Sequence, residues 1–465
     1  MQTPHIRDYQ GKRVHMIGIG GSSMSGLAQM LLEKGYKISG SDNVKSHTVE
    51  KLIAMGIPVT IGHRAENVHG ADMAVYSAAI LNDNPEREEL ARLHIPNMER
   101  ASLLGQLMEG YLKAIGISGT HGKTTTTAML SQIAMEGGLD PTIHIGGRLD
   151  AVGGSTRIGG GDAFIAEACE FSGSFLHMRP TAAVILNIEE DHLDYYKDIE
   201  DIQNAFRKYL ALLPADGLAI GWGDDFRVVD LFEEIPQEKQ TYGFSGKNDW
   251  RAVELHYDAL GRGTYDLYFK DKKLCHVQMA VPGDFNVLNG MAAMAAAYHL
   301  GADMEKAAIS LNRFTGAHRR FELTSVVQGV KLYHDYGHNP TEMRNTLSIA
   351  KLQPHNRLWA VMQPHTYSRV KRLFDDYLTC TKEADITLVT DIYAAREKDP
   401  GDIHTTMVVK GMIAAGVDAH YTPTFDDTEK YLREHWQPGD LVLTMGCGNI
   451  NLLNEQIEKN ERQGQ

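Results

Sequence analysis

Residues 111–136 read YLKAIGISGTHGKTTTTAMLSQIAME, and the fold class turns on them. Residues 111–117 form an apolar run of strand length, whereas 124–136 carry the spacing of a helix. Between them stands Gly119-Thr120-His121-Gly122-Lys123-Thr124-Thr125. A glycine-rich turn in that position aims backbone N–H groups and a helix N-terminus at phosphate oxygens. The lysine adds a mobile positive charge, and the hydroxyl after it can hold Mg2+. The turn departs from the general G-x-x-x-x-G-K-[ST] pattern on its N-terminal side, where Ser118 precedes Gly119. It reads as the cradle of a nucleoside triphosphate.

Outward from this turn, strand-like runs alternate with helical patterns to both ends of the chain, which predicts an α/β protein of parallel sheets with crossover helices. Upstream, strands are expected at 13–17, 36–40 and 72–77 and a helix at 24–34; residues 101–110 close a first block. Downstream, strands are expected at 163–168 and 182–187 and a long helix at 199–213. Residues 221–281 look turn-rich with short alternating strands at 264–269 and 273–280, and an alanine-rich helix follows at 289–300. A third alternation starts near 323, with strands at 330–334, 358–362, 386–390 and 441–445. The polar tail 459–465 is expected to fray. The predicted domains are therefore 1–110, 111–322 and 323–465.

Length agrees, because 465 residues make about three domains. With 43% hydrophobic and 23% charged residues the chain is neither disordered nor collagen-like. A net charge of -14 repels nucleic acid and anionic membranes, so neither is expected as a partner. No apolar run approaches the roughly 18 residues that span a bilayer, and residues 1–10 show no targeting pattern, so a cytoplasmic location is expected. Cys169, Cys275, Cys380 and Cys447 form no C-x-x-C pair and read as free thiols in the interior.

Two further motifs carry chemistry. Residues 18–26, GIGGSSMSG, again lie between a predicted strand and helix, with Asp42 near the end of the next strand, where an acid would meet a ribose. Ser23 occupies the third glycine position of G-x-G-x-x-G, so the loop alone reads either as a nucleotide-diphosphate site or as a tight turn. After the triphosphate cradle come Glu167-Ala168-Cys169-Glu170 and, at 187–194, NIEEDHLD, each at the end of a predicted strand. Ligands gather at the carboxyl ends of parallel strands, so Thr124, Glu167 and His192 are expected to converge on a metal. Oxygen ligands with one imidazole suit Mg2+ or Mn2+ beside a polyphosphate. Glu190 reads as a solvated residue.

These motifs, with PGDFNVLN at 282–289, Arg319-Arg320-Phe321 and DYGHNPTE at 335–342, resemble the Mur ligases of peptidoglycan synthesis along the whole chain. The opening loop and Gln363-Pro364-His365 with Arg369 resemble the alanine-adding branch. The resemblance implies an N-terminal Rossmann-like domain that binds UDP, a central P-loop ATPase domain with a parallel sheet, and a C-terminal Rossmann-like domain. It implies ATP-dependent ligation of L-alanine to UDP-N-acetylmuramate with ATP and Mg2+, by a monomer or homodimer. A related ligase that adds a preformed tripeptide to the same sugar nucleotide is the alternative.

By the same resemblance, Gly18, Gly20, Gly21, Ser22, Met24 and Ser25 hold the UDP diphosphate, with Asp42 and Ser77 near the uridine. Lys123, Thr124 and Thr125, with Gly119, Thr120, His121 and Gly122, hold the ATP phosphates and Mg2+, and Glu167 and His192 complete the metal site. Asn286 and Asn289 lie by the adenine, and Arg319, Arg320 and Asp335 by the terminal phosphate and ribose. His338 and Arg369 face the amino acid, so Lys123, His192, His338 and Arg369 are the expected catalytic set. Phe285 stands where the family's histidine is expected. Lys208 corresponds to no modification this branch requires.

Overall fold

The computed structural model describes residues 4–192, 195–395 and 397–464; Leu193 and Asp194 of the acidic motif and Gln465 of the tail lie outside them. The chain clusters into two compact units. One comprises Met1–Leu255, Tyr265–Met279 and Phe285–Phe314, the other His256–Thr264, Ala280–Asp284 and Thr315–Gln465.

Three sheets carry the chain. The first holds β1 (Arg13–Ile17), β2 (Lys37–Asp42), β3 (Val59–Ile61), β4 (Met73–Tyr76) and β5 (Asn97–Glu99), ordered β3-β2-β1-β4-β5 and all parallel. The second holds β6 (Lys113–Ser118), β7 (Thr142–Leu149), β8 (Gly154–Arg157), β9 (Ala163–Glu167), β10 (Ala182–Ile185), β11 (Leu218–Trp222), β12 (Glu238–Gly243), β13 (Trp250–Tyr257), β14 (Arg262–Phe269) and β15 (Lys272–Pro282). Its order is β15-β14-β13-β12-β11-β10-β6-β9-β7-β8. The third holds β16 (Glu322–Val327), β17 (Val330–Asp335), β18 (Leu358–Met362), β19 (Ile386–Val389), β20 (Ala419–Tyr421) and β21 (Leu441–Met445), ordered β16-β17-β21-β18-β19-β20 with β16 antiparallel.

The central strands β1, β6, β10, β18 and β21 are buried almost end to end, as apolar runs covered on both faces must be. In the first two sheets the strand order reverses beside the strand that feeds a glycine turn: β1 lies between β2 and β4, and β6 between β10 and β9. Those are the switch points at which open sheets leave a crevice for ligands.

The α/β class stands, with local corrections. Residues 221–281 are less irregular than expected: a helix at Phe226–Glu234 buries Val228, Leu231 and Phe232 on one face, and β13 to β15 run for 8, 8 and 11 residues. The β7–β8 hairpin was not expected, because Gly146-Gly147 in β7 reads as a break. The tail is helical from Asn451 to Gly464, since Leu453 and Ile457 are fully buried and Glu461 pairs with Arg433 at 3.0 Å.

Candidate functional site

At the end of β1, the N–H groups of Gly18 and Ile19 donate to the Ser41 carbonyl. Asp42, closing β2, accepts from Gly20 N–H at 2.9 Å and from Val44 N–H at 3.1 Å. The acid expected near the uridine thus also shapes the loop. Helix Ser22–Glu33 starts at Gly21, which has no side chain to cap it, and has no acid in its first turn, so its N-terminal dipole is uncompensated by either. The side chains of Met24 and Ser25 are core groups: Met24 is 1% exposed, and Ser25 Oγ donates to Ser22 O at 3.0 Å. Any contact with a diphosphate there falls to the backbone. Ser77 follows β4 on the Gly18 side, 3.6 Å from where a Gly18 Cβ would stand.

At the end of β6, Gly122 caps helix Lys123–Glu136 in the left-handed region at φ 85°, and an added Cβ would lie 2.5 Å from Asn289 Oδ1. Only glycine meets both conditions without displacing its neighbour. The Lys123 ammonium donates to Gly119 O at 2.5 Å, Thr120 O at 2.9 Å and Glu170 Oε1 at 3.0 Å. Burial works against its charge, but the Glu170, Cys169 and Glu167 groups outweigh it and hold the lysine above its ordinary value, so it stays protonated. Thr124 Oγ1 donates to Glu167 Oε2 at 3.0 Å. The cradle is tied to the loop that follows β10: His121 N–H donates to Asn187 Oδ1 at 2.8 Å, Asn187 Nδ2 to His121 O at 3.1 Å, and Glu189 N–H to Thr120 Oγ1 at 2.8 Å.

His192, in the left-handed region at φ 52°, tilts its ring against Phe171 and brings Nε2 to 3.8 Å from Glu170 Oε1. Glu170 therefore links the lysine to the histidine, a role sequence reasoning did not assign; the signal was its place three residues after Glu167. Its Oε2 is buried with no hydrogen-bond partner, an acceptor suited to a hard cation. Among the described residues no three His, Cys, Asp or Glu side chains gather tightly enough to hold a metal alone. Burial and Glu170 raise the Cys169 thiol to about 12, so it is no nucleophile. Lys208 is exposed on helix Ile199–Leu210. Asn289 is buried one turn below the cradle, accepting from Thr126 Oγ1 at 3.2 Å and donating to Asn286 at 3.3 Å.

The second unit holds the other predicted residues. Arg319 and Arg320 both lie 4.9 Å over the Tyr336 ring. Arg319 also donates to the carbonyls of Gly446 and Gly448 and to His334 Nε2. Asp335 ends β17; burial raises its pKa against Arg320 and the N–H groups of Gly337 and Phe321, which donate to it at 2.7 and 2.8 Å. Its carboxylate thus organises the loop expected to meet the ribose.

His338 Nδ1 lies 3.4 Å from Glu342 Oε2, its carbonyl accepts from Tyr377 OH at 2.8 Å, and its ring meets that of His365 at 5.7 Å. Arg369 NH1 is 3.1 Å from His365 Nδ1, and His365 stacks on Tyr393. A histidine pair beside an arginine suits an amino acid's carboxylate and amine. Sequence reasoning singled out His338 and Arg369 but gave no role to His365, which bridges them.

A glycine loop at a sheet switch point, a P-loop lined by carboxylates and an arginine–histidine cluster are the parts of a nucleotide-using α/β enzyme. Residues 13–112 match the Mur ligase family, catalytic domain; 117–297 the Mur ligase middle domain; and 319–448 the Mur ligase, glutamate ligase domain. The chain belongs to the Mur ligase family. It is 44% identical over 452 residues, 97% of this chain and 98% of the other, to a UDP-N-acetylmuramate--L-alanine ligase of Caldanaerobacter subterraneus subsp. tengcongensis. It is 45% identical over 457 residues, 98% and 99% of the two chains, to the protein of that name from Clostridium botulinum strain Loch Maree. Among solved structures, the UDP-N-acetylmuramate-alanine ligase of Thermotoga maritima shares the fold with a TM-score of 0.82 at 24% identity, over 98% of this chain and all of that one.

Proposed function

We propose that this chain ligates L-alanine to the lactyl carboxylate of UDP-N-acetylmuramate at the expense of ATP, giving UDP-N-acetylmuramoyl-L-alanine, ADP and phosphate. The observation that carries the proposal is the near full-length identity to alanine ligases, joined to a P-loop whose lysine stays charged among Glu167 and Glu170. The division at 1–110, 111–322 and 323–465 is part of the proposal, supported by sheets that begin at Arg13, Lys113 and Glu322. So is a cytoplasmic location; no helix among the described residues is long and apolar enough to cross a membrane.

A carboxylate does not exchange its oxygen for an amine in water. In this mechanism its oxygen attacks the γ-phosphorus, the bond to ADP breaks, and an acyl phosphate forms. Lys123 and the amides of Gly119–Thr125 offset the charge on the transferred group. Mg2+, held by Thr124, Glu167, Glu170 and His192, would screen the two anions from each other. The neutral amine of alanine then attacks the acyl carbon, phosphate leaves, and His338 takes the amine proton while Arg369 clamps the alanine carboxylate. Asn286 and Asn289 serve the adenine side, and Arg319, Arg320 and Asp335 the phosphate and ribose.

The test is phosphate release with ATP, Mg2+ and UDP-N-acetylmuramate, supplied in turn with L-alanine, glycine, L-serine and a preformed tripeptide that begins with L-alanine. The highest kcat/KM is expected with L-alanine. Turnover with the tripeptide alone, or full release without the sugar nucleotide, would overturn the proposal.

A further inference from the structure

Ser23 stands where the dinucleotide fingerprint has its third glycine, and the structure gives its hydroxyl two partners. Arg100, the first residue of helix Arg100–Met108, donates from NH1 to Ser23 Oγ at 2.9 Å, and His144 Nε2 lies 2.7 Å from the same oxygen. Burial, then Arg100, holds His144 near a pKa of about 3, so the ring is neutral. A guanidinium can only donate. Ser23 Oγ therefore accepts from Arg100 while it bonds His144 Nε2, and the other ring nitrogen, Nδ1, lies 3.1 Å from Thr156 Oγ1. Helix Ser22–Glu33 is pressed against that threonine: a Cβ on Gly26 would fall 1.9 Å from Thr156 Oγ1. The relay has little room to slide.

Its free end is Arg100. The side chain is half-buried, and among the described residues it pairs with no carboxylate and donates one hydrogen bond, to Ser23. A guanidinium has five N–H donors, and an interior cation without a counter-ion is costly. Burial lowers the Arg100 pKa, and the Cys169 and Glu99 groups, neither of which forms an ion pair with it, offset that only in part. Ser23 lies in the first turn of helix Ser22–Glu33, and residues 18–26 contain no lysine or arginine. The loop assigned to a doubly charged diphosphate has no cation of its own.

We infer that Arg100, fixed by the Ser23–His144–Thr156 relay, donates to the diphosphate of the UDP-sugar and is the charged group that distinguishes a nucleoside diphosphate from a nucleoside at this loop. Arg100 is a binding residue and Ser23 its positioning residue. The inference deepens the proposed function and rests on its assignment of residues 18–26 to UDP.

The test titrates the full-length protein and its variants with UDP and, separately, with uridine. Charge-assisted hydrogen bonds to phosphate predict that Arg100→Met weakens UDP roughly 10- to 100-fold and leaves uridine unchanged. Arg100→Lys should recover part of the loss, because an ammonium keeps the charge but cannot fork to Ser23 and phosphate together. Ser23→Gly should weaken UDP by a smaller factor, again sparing uridine. Unchanged UDP affinity in folded Arg100→Met, or an equal loss for UDP and uridine, would overturn the role of Arg100. If Arg100→Met does not fold, Arg100→Lys and Ser23→Gly carry the test, and wild-type UDP affinity in both would overturn it. Failure of the unaltered protein to bind UDP would overturn the loop assignment and the inference with it.

Discussion

At the level of single residues, Lys123 has the most to lose. Its ammonium is held by two carbonyls and Glu170, so it is already placed and charged when a phosphoryl group arrives. Removing one transition-state donor of this kind costs roughly 10²- to 10³-fold in kcat; Lys123→Ala should show that loss in ADP formation while keeping its circular dichroism. His192→Ala should raise the Mg2+ concentration needed for half-maximal rate and leave UDP-sugar affinity unchanged in calorimetry. An unaltered Mg2+ dependence would remove His192 from the metal site.

His334 supplies a pH dependence. Burial first, then Arg319, lowers it to about 3, and its Nε2 accepts from Arg319 at 2.9 Å, which requires an unprotonated ring. Between about pH 6.5 and 3 the unfolded chain binds a proton that the folded one refuses. Stability is therefore full above pH 6.5 and falls as acid is added, with a slope of up to about 1.4 kcal/mol per pH unit from this group. His334→Gln should flatten the acid limb of the second unit's melting profile.

At the level of elements, the strand–turn–helix around Gly122 was legible from sequence because glycine, lysine and threonine are confined to one short turn. Gly122→Ala should cost about 1–2 kcal/mol for the left-handed backbone, and it should raise KM for ATP as Asn289 is displaced. Thermal melting and ATP kinetics check the two effects separately. The central strands were legible for a similar reason: strands buried on both faces read as unbroken apolar runs. What was missed obeys the opposite rule. The β7–β8 hairpin carries its glycines inside a strand, and helix Phe226–Glu234 shows its apolar face only as Val228, Leu231 and Phe232 among charges. Glu170 and His365 were quoted as letters in a motif but given no role: the partner of Glu170, Lys123, lies 47 residues away in the chain, whereas the four-residue spacing of His365 and Arg369 was a local signal left unused.

At the level of the molecule, each compact unit has its own core. One cluster runs from Ile6 through Met16, Phe164, Phe206 and Ile235, all in the first unit; two others, around Met343 to Met445 and Val327 to Ile457, belong to the second. Separate cores make one all-or-none transition a poor description of unfolding. The proposed UDP loop and P-loop both lie in the first unit. A ligand stabilises only the cooperative unit whose folded form binds it, by about 2.7 kcal/mol at a hundred times its Kd, or roughly 5 °C for a unit of this size. Calorimetry should therefore resolve two transitions, and UDP-N-acetylmuramate should raise the midpoint of one and leave the other in place. His144 and His334 identify them: His144→Gln should change the acid sensitivity of the transition that the sugar nucleotide moves, and His334→Gln that of the other. If the sugar nucleotide moved the His334-sensitive transition and left the His144-sensitive one fixed, residues 18–26 would not hold the UDP.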